Sequence, residues 1–301
     1  MPKTRTPSPE SVSSPRLQEL QRAPQPRLWV LLWVLMAGLW AAYELRLDPR
    51  DLIPGSGGLT IAQEFFGRAL SPALDYESEN VPAGTPPLLW KALEAARQTV
   101  IFAVAAMSLA ILLGLPLGCL ASQAWWRAMG SESARPSRRW LFVGIRVLIA
   151  VMRSIHELLW AVLFLAAFGL SHFSAVVAIA IPFAGILAKV FSEMIDEAPE
   201  DAAEALAGSG AGEVQVFLFA LLPRALPDMG AYAFYRFECA LRSSAVLGFF
   251  GFPTLGYYIS ASFENLYYGE VWTYLYTVFL LVMVADLWSG ALRRSLLGTA
   301  K

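Results

Sequence analysis

Six stretches of this chain are apolar over nearly the length needed to cross a bilayer, and that excludes most soluble folds at once. A hydrocarbon core of about 30 Å takes about 20 helical residues, with a usable range of roughly 17–25. Residues 28–43 carry no charge and are flanked by Arg27 and Glu44; the stretch is short, and snorkelling flanks extend it. Residues 99–121 are uncharged throughout, with Trp125 and Trp126 just beyond as an interfacial belt. Residues 141–170 contain Arg146, Arg153 and Glu157, and residues 173–191 contain only Lys189. Residues 229–259 contain Arg236, Glu238 and Arg242, and residues 271–287 are interrupted only by Asp286. In lipid the backbone must satisfy its own polar groups, so such stretches are helices. The expected fold class is all-α: a polytopic membrane helix bundle of about six transmembrane helices.

Composition narrows the functions open to such a bundle. The chain is 56% hydrophobic and 16% charged, with a formal net charge of -1. That charge supplies no basic field for nucleic acid. The two cysteines, Cys119 and Cys239, lie inside apolar stretches as small buried hydrophobes. With only His156 and His172 besides, and no CxxC, there is no zinc or iron constellation. Residues 1–27 are rich in Pro, Ser and Arg and are expected to be a disordered cytoplasmic tail rather than a cleaved leader.

Basic residues orient the spans. The tail carries Lys3, Arg5, Arg16, Arg22 and Arg27; the connection after the second span carries Arg127, Arg135, Arg138 and Arg139 against Glu132; the C-terminal end carries Arg293, Arg294 and Lys301. With six spans all three fall on one side, so both termini are expected in the cytoplasm. The opposite side takes the segment with Arg46, Arg50 and Arg68 against Asp48, Asp51, Glu64, Asp75, Glu77 and Glu79. The expected organisation is a tail over residues 1–27, a first transmembrane helix and external loop over residues 28–90, and the main transmembrane domain over residues 91–301.

One cytoplasmic connection breaks the basic trend, and its pattern carries a resemblance. From Glu193 it is acidic, with Pro199, Glu200 and Asp201 suited to a helix start, Ala202 to Ala207 to a helix, and Gly208, Gly210 and Gly212 to a stop and a turn. Glu204-Ala205-Leu206, Gly210, Ala220 and Leu222-Pro223 resemble the "EAA" loop of ABC importer permeases at every spacing, with Leu206 and Ala220 departing from the usual residues. The resemblance implies that the segment at about residues 193–223 is a coupling loop that docks on an ATPase subunit, with Glu204, Ala205, Gly210, Leu222 and Pro223 as its motif residues. Further stretches resemble phosphonate-type permeases: Arg153-Ser154-Ile155-His156-Glu157-Leu158-Leu159-Trp160-Ala161, Tyr235-Arg236-Phe237-Glu238 with Arg242, Val246-Leu247-Gly248-Phe249, and Gly114-Leu115-Pro116-Leu117-Gly118. The similarity runs over about residues 95–290. His156 stands where those permeases usually have Pro, and Phe250-Gly251-Phe252-Pro253-Thr254-Leu255-Gly256 replaces a glycine-rich run. The backbone is expected to break there at Pro253, between Gly251 and Gly256.

The charges inside the spans are the candidate site. An arginine or acid at a helix centre costs about 2.5–3.5 kcal/mol on insertion scales, so it pairs or faces a watery path. Arg153 and Glu157 are four apart, as are Glu238 and Arg242, and each pair shares a face of a continuous helix. Two roles stay open: ion pairs that orient helices, or a translocation lining that passes an anion. Arg236 has no acid at helical spacing and is the stronger candidate for an anion path; Ser243 and Ser244 add hydroxyls that donate hydrogen bonds or pack as small residues. His156 either titrates near neutrality or is a hydrogen-bonded structural residue.

The resemblance implies a type I ABC importer permease: one half of a translocation pathway, working with a second permease copy, an ABC ATPase subunit, a periplasmic or lipoprotein substrate-binding protein, and membrane lipid. It implies a phosphonate or related small phosphorus oxyanion, such as phosphate or phosphite, as substrate. No GxxxxGK[ST] is present, so this chain is not expected to bind ATP; the resemblance implies that ATP and magnesium belong to the partner, and no cofactor, metal or catalytic residue is expected on this chain. The rival classes are an ion-coupled secondary transporter and a membrane-embedded sensor; the EAA-like loop does not suit the first, and tails too short for a signalling domain argue against the second.

Overall fold

Apolar helices too long for a soluble core dominate the structure, a computed structural model that describes residues 26–48, 55–79, 81–128 and 136–298. Most of the tail expected over residues 1–27 lies outside the described residues, as do Arg50, Asp51, Glu132, Arg135 and Lys301. Among the described residues there is no strand. The chain divides into two compact units, residues 1–63 and residues 64–301.

The first unit holds α1 (Pro26–Glu44), whose apolar side chains, Trp33, Leu39 and Trp40 among them, are exposed. Its apolar portion, Leu28–Glu44, stands at the short end of what spans a bilayer. α2 (Ser56–Gly67) begins in this unit and ends in the second.

In the second unit α3 (Leu88–Ala121), α4 (Gln123–Ala128), α5 (Pro136–Ser154), α6 (Glu157–Phe168) and α7 (His172–Asp196) come first. α8 (Asp201–Gly208) and α9 (Glu213–Val216) form the acidic connection. A π-helical turn, Phe217–Leu221, leads without a break into α10 (Leu222–Val246). After a 3-10 turn, Leu247–Phe250, come α11 (Leu255–Glu264) and α12 (Tyr268–Gly298). α3, α7 and α12 are each long and apolar enough to cross a membrane, and two bent pairs raise the number to five. The helices overrun the apolar stretches: α3 has 34 residues and so is about 51 Å long. Arg293 therefore lies on the last helix rather than in a tail.

The centre is a seam between α3 and α7. Ala103, Ala106 and Ala110 on one helix and Ala180, Ala184 and Ala188 on the other are buried completely. A Cβ at Gly114 would lie 3.0 Å from Leu187 Cβ, and one at Gly118 would lie 2.9 Å from Phe191 Cβ. Lipid tails are as apolar as leucine, so helices associate in a bilayer by close van der Waals approach, and small residues four apart permit it. Phe102, Met107, Ile179 and Phe183 fill the rest of the core around this seam.

Two breaks shape the bundle. α5 and α6 meet at 92°, where the sequence suggests one continuous span over residues 141–170. His156 caps the second of them, its side chain accepting from Leu158 N, and so fixes the corner. The second break follows α10. Gly251 takes φ 93°, and α11 restarts at Leu255 at 46° to the preceding helix. The half-helices cross backbone on backbone: a Cβ at Gly248 would sit 2.0 Å from Tyr257 N, and one at Gly256 2.2 Å from Ala245 O. Thr254 Oγ1 donates to Ala245 O at 3.0 Å, and Leu255 N donates to Thr99 Oγ1 on α3 at 3.2 Å.

The segment before α3 is fastened to the start of α12. Trp272 Nε1 donates to Phe65 O at 2.7 Å, Tyr276 OH to Ala69 O at 2.6 Å, and Glu77 N to Glu270 Oε1 at 2.9 Å.

The Gly256 crossing leaves no room for a methyl group. Gly256→Ala is expected to cost about 3 kcal/mol or more, since backbone must shift to admit the Cβ. Gly144→Ala, at a position with open space around it, is expected to be neutral. The amount of monodisperse protein recovered in detergent by size-exclusion chromatography measures both; equal recovery would contradict the crossing.

Candidate functional site

One face of α10, α7 and the corner between α5 and α6 border an open cavity of about 450 Å³ that carries several charged side chains. His156, Glu157 and Leu158 line it from the corner, Phe183 and Ile186 from α7, and Arg236, Cys239, Arg242, Ser243 and Val246 from α10. Ser243 Oγ donates to Glu157 Oε1 at 2.9 Å. Because His156 Nδ1 accepts from Leu158 N, the ring proton of the neutral form sits on Nε2, which faces Glu157 Oε2 at 3.5 Å. Glu157 is thus held by two neighbours. The two arginines against that single carboxylate leave the cavity electropositive.

Arg236 is the unusual member. Its guanidinium carbon lies 5.4 Å from the Phe183 ring centroid and 5.8 Å from that of Tyr232. Its Nε is buried and has no hydrogen-bond partner among the described residues. Fourteen positions past Leu222, it sits about 21 Å along α10, just past the middle of that helix. Arg242 is exposed, and its Nη2 donates to Cys239 Sγ at 3.5 Å.

The spacing-based pairs do not form. The helix breaks between Ser154 and Glu157, so Arg153 and Glu157 share no face; Arg153 is exposed. Glu238 lies one turn from Arg242, yet points away from the cavity to Arg293 Nη2 on α12, at 3.3 Å; Asp286 Oδ1 flanks the same nitrogen at 3.8 Å. Ser244 is fully buried and donates to Ala240 O, so it does not reach the cavity. Of the sequence candidates, Arg236, Arg242, Ser243 and Glu157 come together, and Arg153, Glu238 and Ser244 do not. Phe183 and Tyr232 were not legible as site residues. Tyr232 stands four positions before Arg236 on α10, which was a usable signal; Phe183 on α7 had none.

A second cavity of about 520 Å³ follows the first along α10, lined by Glu197 and Pro199 of the acidic connection, by Arg224, Asp228, Tyr232 and Tyr235 of α10, and by Arg293. The acidic connection itself is braced at its base. Asp196, at the end of α7, accepts from Ser122 Oγ at 2.7 Å, Gln123 N at 3.1 Å and Ala124 N at 2.9 Å. Arg127 reaches Glu200 at 3.7 Å, and Trp125 meets Phe217 edge-on at 5.0 Å between centroids. On that base α8 presents Glu204 and Ala205 to the outside while burying Ala203. Gly210 takes φ 91° with nothing near its missing Cβ, so backbone conformation, not space, requires glycine there. Leu222 and Pro223 begin α10 directly after the π-helical turn, whose shifted hydrogen-bond ladder accommodates the missing N–H of Pro223.

Residues 114–298 match the family described as binding-protein-dependent transport system inner membrane component. The phosphite transport system permease protein PtxC of Stutzerimonas stutzeri is 34% identical over 149 residues, covering 50% of this chain and 54% of that protein. The phosphate-import permease protein PhnE of Mycolicibacterium smegmatis is 29% identical over 225 residues, covering 75% of this chain and 40% of that protein. The matched part of the chain thus spans about half the length of these relatives or less. In fold, the chain is similar to an inward-facing structure of the MetNI methionine ABC transporter, with a TM-score of 0.58 and 20% identity, over 69% of this chain and 96% of that one. The fold is thereby that of a multi-spanning membrane helix bundle of the ABC-importer permease type.

The Glu238–Arg293 pair sets an expectation for stability. Arg293→Gln leaves the nearly buried Glu238 carboxylate without its cation and is expected to cost about 1–3 kcal/mol, lowering membrane abundance. Arg242→Gln breaks no ion pair and should leave abundance near wild type. Immunoblots of membrane fractions distinguish the two; loss in Arg242→Gln alone would contradict the pairing.

Proposed function

The chain belongs to the family of binding-protein-dependent transport system inner membrane components, and from that premise we propose that it is the membrane-spanning permease subunit of an ATP-driven importer for a small phosphorus oxyanion. The observation that carries the substrate class is Arg236: a cation near the middle of α10 in an electropositive cavity, with a buried Nε that no described residue satisfies. A permanent counter-charge would remove the cost of that arginine, and a transient one does so only while it passes. The names of the relatives, phosphite and phosphate transport permeases, support the same class. The permease resides in the inner (cytoplasmic) membrane with both termini in the cytoplasm, forms the pathway with a second copy, receives substrate from an external binding protein, and leaves ATP and magnesium to an ATPase subunit. Arg236 and Arg242 contact the anion, Ser243 and Glu157 shape its surroundings, and Arg153, Glu238 and Ser244 support the helices instead. The exposed face of α8 with Glu204 and Ala205, the Gly210 turn, and Leu222-Pro223 dock on the ATPase.

The complex with its ATPase and binding protein, reconstituted in proteoliposomes, tests this reading. Phosphate, phosphite or a simple phosphonate should stimulate ATP hydrolysis where sulfate does not. Arg236→Gln should retain membrane abundance and lose uptake about tenfold to a hundredfold, as expected for one lost charge-assisted contact. No stimulation by any phosphorus oxyanion would overturn the substrate class.

The docking loop has its own test. Gly210→Val forces a β-branched residue to a positive φ, at a strain of about 1–3 kcal/mol, and should distort the turn after α8. Glu204→Lys reverses an exposed charge. Both are expected to insert normally and to lower uptake per ATP hydrolysed, whereas Gly208→Ala should behave as wild type. Unchanged coupling in both variants would remove this role from the loop.

A further inference from the structure

The two cavities are arranged in series along a single helix face. Arg224, Asp228 and Tyr232 line the one beside the acidic connection, and Arg236, Cys239 and Ser243 line the one at the α5–α6 corner. At 3.6 residues per turn, all the α10 positions that line either cavity fall within an arc of about 140°. One continuous stripe of α10 therefore faces both spaces.

Between them stands the cluster of Arg236, Tyr232 and Phe183. Tyr232 belongs to the lining of one cavity, Phe183 and Arg236 to that of the other, and the guanidinium lies within 5.4 Å and 5.8 Å of the two ring centroids. A guanidinium over aromatic faces in a desolvated site is held electrostatically by the ring quadrupoles. Here the rings hold a cation whose Nε makes no hydrogen bond among the described residues. An oxyanion offers charge-assisted, bidentate hydrogen bonds that the rings do not.

We propose that Tyr232 and Phe183 are positioning residues that clamp Arg236 across the junction of the two cavities, and that a phosphorus oxyanion opens this gate by drawing the guanidinium off the rings. The proposal rests on the transport reading above and adds to it the residues that close the path and the event that opens it. The anion entering the Arg242–Ser243 cavity exchanges a cation–π contact for a salt bridge at Arg236. The side chain swings with it, and the lining residue on the far side becomes Arg224, about 18 Å further along the same stripe.

Cys239 is a built-in reporter, because it lines the cavity beyond the gate as seen from the acidic connection. The full-length chain, with Cys119→Ser and its ATPase partner, is placed in inside-out membrane vesicles and exposed to a cationic, impermeant methanethiosulfonate. Wild type should label slowly. Tyr232→Leu and Phe183→Leu should each raise the labelling rate at least about tenfold, since either removes one face of the clamp. Tyr232→Phe keeps the ring and should stay within about twofold of wild type, which a loosened fold would not do. Inorganic phosphate should speed labelling of the wild-type chain. Equal rates in wild type and both leucine variants, or a Tyr232→Phe rate matching Tyr232→Leu, would overturn the clamp; an absence of any phosphate effect would overturn the oxyanion as its trigger. These rates are read without transport, so failure of the clamp is separable from failure of the transport reading, which the hydrolysis assay reports.

Discussion

Close approach of α3 and α7 is the constraint on which the rest of the bundle hangs. In water a helix can be recruited by its apolar stripe, but in lipid that stripe is content where it is. What remains is contact, and contact between helical backbones needs small side chains. Gly114, Gly118 and the alanines facing them supply it along several turns. Once the pair is fixed, Gly185 of α7 lets the α5 backbone in as well, with Met152 Cβ 2.8 Å from where its own Cβ would be. The α5–α6 corner is thus set against α7, and α10 then has one place to lie. The cavity beside Arg236 is the space left between these three, not a pocket built by its own lining.

Low dielectric makes each charge in that space consequential. Glu238 has Arg293, and Glu157 has Ser243 and His156. The Glu238–Arg293 and Ser243–Glu157 contacts tie α10 to another helix, so polar groups act here as fasteners where apolar ones cannot. Arg236 is the exception, with rings for neighbours and an unsatisfied Nε. A structural arginine within a membrane-spanning helix would be expected to have an acid or a carbonyl partner. Under the transport reading, the deficit is what makes the site receptive to an anion.

Helix spans and the pattern of the acidic connection were legible because both are local. A run such as residues 99–121 has one meaning in a bilayer, and Gly210 between alanines and Gly212 signals a turn whatever surrounds it. The break near Pro253 was legible for the same reason. The 92° corner was not, because nothing apolar is interrupted at Ile155; the cue was His156, a side chain able to cap a helix from within an apparently continuous span. Ion pairing was misread where spacing stood in for direction. Glu238 and Arg242 are one turn apart, yet one faces α12 and the other the cavity, and a residue 55 positions away supplies the partner. Helical spacing says that two side chains can meet; the neighbouring helix decides whether they do. Arg236 was legible through the same rule applied negatively, since no acid stands three or four positions from it, but Phe183 could enter only through packing.

The continuity of α10 with the acidic connection gives the arrangement a mechanical sense. From Glu213 through the π-helical turn at Phe217–Leu221 to Val246 the chain is one uninterrupted helical rod, and Leu222-Pro223 lies within it rather than at a hinge. The rod is anchored near its start by Phe217 against Trp125, and near its far end by the backbone crossing at Gly248 and Gly256. Gly210 and Gly212 join α8 to α9, so it is a displacement of α9, the first turn of the rod, that meets no loop before the stripe among the described residues. It must reach α10 as a rotation or a shift. Under the transport reading, either motion would move Tyr232 and Arg236 relative to Phe183 on α7. An unsatisfied arginine held by two rings on two different helices is then the contact most sensitive to such a movement, and the π-helical turn, where the ladder of hydrogen bonds is already shifted, is where the rod has room to twist.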